Sequence, residues 1–186
     1  MKGVPRFEKQ EDIRIVRFYT PEHNNSFVRQ FISYCYFAIG ALKHAYLNRK
    51  DYDNVFATTS RLGTGFLGFL VSKVTRKPLN IDVRDIFSDN LQSLQFFKGS
   101  VGKILVKLFS QIESRIISHA KWVNFVSSGF LTYDHIKKIK KQINLFTNGI
   151  DDIFIKNREK HGTVIVENKM RKPVNIVYAG NIGIGQ

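Results

Sequence analysis

The chain has 186 residues, 43% hydrophobic and 24% charged, enough apolar material for a packed core and too much for wholesale disorder. Its 29 Lys and Arg against 15 Asp and Glu leave a net charge of +14. Such a balance suits an anionic partner (nucleic acid, acidic membrane or phosphorylated substrate), and a basic compositional bias of the source would leave the same excess. Cys35 is the single cysteine, which excludes an internal disulfide and a thiolate zinc cage and fits a reducing cytoplasm.

The N-terminal MKGVPRFEKQEDIR is polar and lacks the apolar core of a signal peptide. Residues 12–19, DIRIVRFY, alternate polar and apolar and predict a strand, which Thr20-Pro21 breaks. Ser26 is placed as an N-cap for a helix running from Phe27 to about Asn48. That helix is apolar almost all round, the mark of one buried or dipped into an interface. Residues 54–59, NVFATT, read as a short buried strand, 62–74 as a glycine-bearing helix, and 79–84, LNIDVR, as another strand. The most apolar stretches, 31–42 and 62–71, fall short of the roughly 20 residues a membrane span needs.

Residues 87–99 predict a loop, and 101–120 the clearest amphipathic helix. Val101, Ile104, Leu105, Leu108, Ile112 and Ile116 share the face expected to turn inward, with Lys103, Lys107, Ser110 and Ser114 facing away. A strand over 122–127, a short helix over 129–138 and a strand over 142–146 follow, then a turn at Asn148-Gly149. Residues 156–161 read as a surface loop, 163–167 as briefly extended, and 174–178, VNIVY, as a β-branched strand. Alternating strands and helices with short apolar strands predict an α/β, Rossmann-like layer fold with a mainly parallel sheet. Ligands of such sheets collect at the carboxyl ends of the strands.

The loops at those ends hold the candidate residues. Thr59, Ser60, Arg61, Gly63, Thr64 and Gly65 combine hydroxyls, a cation and glycines at the start of a helix. Backbone N–H groups there suit an anion or a sugar hydroxyl, and an ordinary capped strand-to-helix turn fits the same residues. Arg84-Asp85 sets a cation beside a carboxylate at a strand end. Asp85 is a candidate base or orienting group for an acceptor hydroxyl and Arg84 a phosphate contact; a structural Arg–Asp pair is the alternative. Gly180, Asn181 and Gly183 follow the last strand, where glycine lets backbone approach a phosphate. The histidines at 23, 44, 119, 135 and 161 show no metal spacing, and no Walker A loop, nucleophile elbow or nucleic-acid signature is present. Hydrolase and nucleotide-triphosphatase readings therefore lose support, and no nucleic-acid partner is expected.

Six segments, in order, carry a resemblance: FVRQFISYCYFAIGAL, ATTSRLGTGFLGFLVSKVTRKP, VRDIFSD, ESRIISHAKWVNFVS at 113–127, TNGID at 147–151 and IVYAGNIG at 176–183. Together they resemble the family-4 glycosyltransferases of GT-B fold in polysaccharide and O-antigen synthesis, in particular the subgroup similar to fucosamine transferases. The resemblance covers the chain from about Asp12 onward.

It implies two Rossmann-like domains facing a cleft, with 1–150 a partial acceptor domain, 151–173 a linker region and 174–186 the first strand and loop of a donor domain. It further implies that 59–65 and Arg84-Asp85 line the acceptor side, that Asn148-Gly149 marks the entry to the linker, and that Gly180, Asn181 and Gly183 face the donor phosphates. The resemblance implies no metal and no cofactor: a nucleotide-sugar would be the donor, with a lipid-linked or glycan acceptor, in the cytoplasm or on the inner face of the membrane.

The pattern departs from the family at several points. Phe87-Ser88 stands where relatives often have an aromatic-proline pair. An expected leading strand, glycine-rich loop and helix, and the acidic pair that grips the donor, have no counterpart in this sequence. The expectation is thus a fragment inactive alone, since transfer draws on groups from both sides of the cleft. The alternative is a non-catalytic basic module: Lys98, Lys103, Lys107, Arg115 and Lys121 form one cluster and Lys137, Lys138, Lys140 and Lys141 another. These clusters suit an anionic membrane or polyanion, or are simply solvated faces.

Overall fold

In the computed structural model, residues 5–22, 26–59, 62–88, 99–149 and 152 are described. The predicted strand at 174–178, the short extended stretch at 163–167, the loop at 156–161 and the linker and donor segments lie outside them.

Strands β1 (Phe7–Gln10) and β2 (Ile13–Val16) form an antiparallel hairpin. Only β2 was legible as alternation; β1 sits in the polar N-terminal stretch, and Glu11 takes the left-handed φ of 51° that closes the turn. Helix α1 (Phe27–Leu47) begins at Ser26 as expected, although the Ser26 side chain makes no capping bond. Then come β3 (Val55–Thr59), α2 (Leu62–Thr75), β4 (Leu79–Val83), α3 (Ser100–His119) and β5 (Trp122–Phe125). The predicted helix at 129–138 divides into a 3-10 turn (Ser128–Thr132) and one α-turn, α4 (Asp134–Lys137). The last strand shrinks to β6 (Asn144–Leu145).

β3, β4, β5 and β6 form a parallel four-stranded sheet in chain order. The architecture is the expected Rossmann-like α/β. Crossovers of one hand stepping the same way across a sheet place their helices on one face, and α2 and α3 do pack against each other. Side chains alternate between the faces. Ala57, Ile81 and Val123 are in register on the helix-covered face, and Leu79, Val83 and Phe125 join them in the core with Ile116, Ile117 and Ile136. Thr58, Asp82 and Asn124 are in register on the other face. There the Asp82 carboxylate accepts from Asn124 Nδ2 at 2.6 Å and from Arg84 Nε at 2.9 Å. Asn124 also pairs with the backbone of Phe146 through Oδ1 and Nδ2, at 2.7 and 3.2 Å, and Trp122 stacks on the Phe146 ring.

The inward face expected for α3 is wrong over its first half. Val101 is 72% and Ile104 68% exposed, while Gly102, Val106, Glu113, Ile116 and Ile117 are buried. Helical periodicity alone cannot tell which of two apolar-bearing faces meets the sheet. The covered face is the one running through Gly102 and Val106.

Close approach also sets α2 on the sheet: a Cβ added at Gly68 would lie 2.6 Å from Ala57 Cβ. Gly68→Ala should therefore cost about 1–3 kcal/mol by forcing helix and strand apart, read as a lower urea midpoint at unchanged slope. His119 packs edge-on against Phe69, and burial, with smaller contributions from Lys73 and Lys141, lowers its pKa. The folded state thus binds this proton less tightly than the unfolded chain. The His119 contribution is complete above the unfolded value of about 6.5 and is lost as pH falls below it. His119→Phe should flatten the acid side of the stability–pH profile in chemical denaturation.

Candidate functional site

The carboxyl ends of β3 and β4 meet where the Arg84 N–H donates to the Thr59 carbonyl at 3.0 Å. Thr59, Leu62, Gly65, Asp85, Phe87 and Glu113 are among the residues lining a cavity of about 20 Å³ there. That is room for about one water. Gly65 is buried, and a Cβ on it would come within 2.9 Å of Thr59 Cγ2. The parallel pairing of β3 with β4, Thr59 opposite Val83, is what brings Thr59 to the cavity that Asp85 also lines.

The structure separates Arg84 from Asp85. The two-residue period of an extended chain sends neighbours to opposite faces, and Arg84 pairs with Asp82 while Asp85 lines the cavity on the helix side. Arg84 does form a structural Arg–Asp pair, with Asp82, a partner that the sequence reading did not weigh. Gly63 is held from the other side, for its carbonyl accepts the Tyr34 hydroxyl of α1. Burial, the main cause, raises the pKa of that phenol. Thr64 is exposed on the first turn of α2. Ser60, Arg61, Gly180, Asn181 and Gly183 lie outside the described residues. Asn148 and Gly149 are exposed and carry no regular element.

Glu113 is the residue that sequence reasoning missed. It is 6% exposed, although it lies within the stretch of chain that carries the first cluster of lysines and arginine. Its Oε1 accepts from the Phe87 N–H at 3.0 Å, and its Oε2 accepts from Ser88 Oγ at 2.8 Å and lies 3.1 Å from His135 Nε2. One carboxylate thereby ties the loop after β4, which carries Asp85, to α3 and to α4. The available signal was positional: Glu113 lies seven residues after Val106 and three and four before Ile116 and Ile117, on the helical face that is buried.

A roomier cleft, about 480 Å³, opens between the β1–β2 hairpin and the C-terminal end of α1. Its polar groups bond to one another, His44 Nε2 with the Tyr52 hydroxyl at 3.1 Å and Asn48 with His44. Among the described residues no three His, Cys, Asp or Glu side chains are grouped to hold a metal ion, and no helix is long and apolar enough to cross a membrane.

Fold and site together define a Rossmann-like α/β protein with a polar cluster at the carboxyl ends of its parallel strands. No protein-family model and no curated protein matches the chain.

Removing the Glu113 carboxylate strands the Phe87 N–H, the Ser88 hydroxyl and His135. Glu113→Ala should cost about 1–3 kcal/mol for each buried group left unpaired, and Glu113→Gln, which keeps an acceptor oxygen, distinctly less. Urea denaturation of both variants measures this.

Proposed function

We propose that this chain supplies the acceptor side of a family-4, GT-B glycosyltransferase that moves a sugar from a nucleotide-sugar to a lipid-linked or polysaccharide acceptor in cell-surface polysaccharide synthesis. One observation supports the reading: Thr59, Gly65 and Asp85 converge at the carboxyl ends of adjacent parallel strands, the ligand-collecting edge of such sheets. The six ordered segments of the resemblance agree with it. In this reading the Asp85 carboxylate accepts the hydrogen bond of the acceptor hydroxyl and takes its proton as the oxygen bonds to the sugar's anomeric carbon. In the same step the bond from that carbon to the diphosphate oxygen breaks, and the nucleoside diphosphate leaves with the electron pair. Thr59 and the first turn of α2 hold the acceptor. The cavity itself is too small for a sugar, so the acceptor contacts its rim. Arg84, paired with Asp82 and still half exposed at the same strand end, is the expected phosphate contact of this reading.

A second reading, a basic module on an anionic membrane at the inner face of the cell membrane, is favoured by a specific feature of α3. Exposed Val101, Ile104 and Leu108 stand beside exposed Lys103 and Lys107 on its first half. Apolar and cationic side chains mixed on one helix surface suit the headgroup boundary of an anionic bilayer.

Titration of the ¹⁵N-labelled chain with a polyprenyl-diphosphate sugar in nanodiscs tests the first reading. Saturable shifts should centre on Thr59, Gly65 and Asp85, and Asp85→Ala should weaken binding roughly tenfold, the worth of one charged hydrogen bond. Shifts elsewhere, or affinity untouched by Asp85→Ala, would sink it.

A further inference from the structure

Helix α1 is held to the body by one side only. Ser33 Oγ donates to the Pro21 carbonyl at 2.7 Å, the Tyr34 hydroxyl reaches Gly63, and Phe37 and His44 meet the Phe18 ring edge-on. The opposite side is apolar and exposed: Val28 64%, Ile32 43%, Ile39 67% and Tyr46 50%. At about 100° per residue these four fall within roughly 40° of one another, and from first to last they run about 27 Å along the helix. Phe31 and Tyr36 widen the stripe, at 61% and 55% exposed. A stripe of that length exceeds the scattered apolar residues of an ordinary surface.

The surrounding charge narrows the choice of occupant. Between Ser26 and Lys50 the chain has Arg29, Lys43, Arg49 and Lys50 and no Asp or Glu. Arg49 lies over the Tyr46 ring, 4.5 Å from its centroid, so cation and aromatic meet at the end of the stripe. A second copy of a chain with net charge +14 would bring like charges together along this surface. An anionic bilayer instead accepts the apolar stripe below its headgroups, the tyrosines at headgroup level and the cations against its phosphates. We infer that the exposed face of α1 is an in-plane membrane-docking surface whose partner is an anionic lipid bilayer. The inference rests on the membrane reading above and assigns the surface it uses.

The test is sedimentation of the whole chain with vesicles of phosphatidylglycerol and phosphatidylcholine, and with phosphatidylcholine alone. Wild type should bind the anionic vesicles, and the V28S/I32S/I39S variant should bind at least tenfold more weakly, with an unchanged circular-dichroism spectrum. In a second measurement an environment-sensitive fluorophore on Ile39→Cys, with Cys35→Ser, should shift to the blue on the same vesicles. If V28S/I32S/I39S binds as wild type does, or the bound fluorophore keeps its aqueous spectrum, α1 is not the docking surface, although the membrane reading stands on α3. If K103S/K107S alone abolishes binding while the α1 variant retains it, the inference is likewise overturned. Absence of wild-type binding to either vesicle removes the inference and the membrane reading together, leaving acceptor binding at Asp85 as a separate question.

Discussion

β4 is paired along both edges, with β3 and β5, and its residues are buried or half-buried throughout. A strand in that position has to satisfy each backbone group in the ladder and give each face its own chemistry. Leu79, Ile81 and Val83 enter the core, and the next residue of that series, Asp85, emerges at the cavity. Asn80, Asp82 and Arg84 take the other face, where Asp82 is the hub of a hydrogen-bonded row. A slip of one residue would exchange the two sets and bury Asp82 and Arg84 against α2. The register of β4 therefore decides both the core and which charged group reaches the strand-end cavity.

Around that strand, close backbone approach replaces bulk. Gly65 and Gly68 let α2 lie directly on Thr59 and Ala57. The consequence is a thin interface in which few side chains intervene between helix and sheet. Glu113 compensates at the loop end, where a hydrophobic side chain could not satisfy the Phe87 N–H and the Ser88 hydroxyl. A buried carboxylate is expensive unless its acceptor sites are filled, and here the donors come from the β4 loop and from α4. The arrangement exchanges desolvation for definition: the loop bearing Asp85 has one hydrogen-bonded position.

The same geometry explains the distribution of exposed apolar surface. Helix α1 packs over α2 and against Phe18 and Pro21, and half of its apolar circumference is left outward. The first half of α3 is in a similar position, with Gly102 and Val106 buried and Val101, Ile104 and Leu108 turned outward. Cations beside both surfaces keep them wet at the edges. Charge and apolarity thus coincide on the two helices without either being needed for the core.

Much of the architecture was legible in the sequence. Apolar β-branched runs of strand length, a helix-length apolar stretch after Ser26 and glycines at the strand ends were sufficient for an α/β fold with the elements in the right order, because these patterns reflect local periodicity. β1 was not legible, since its pairing with β2 exists only through the turn at Glu11. Nor was the orientation of α3, where two faces carried apolar residues and only contact with α2 and α4 selected one. Of the candidate site, Thr59, Gly65 and Asp85 were found as strand-end residues, but their convergence, the departure of Arg84 to Asp82 and the capture of Glu113 were not. Sequence by itself determined which residues form strands and helices, because that depends on neighbours a few positions apart. Tertiary structure alone decided which charged groups meet, because Glu113 and Ser88, like Asp82 and Asn124, are brought together only by the packing of distant segments.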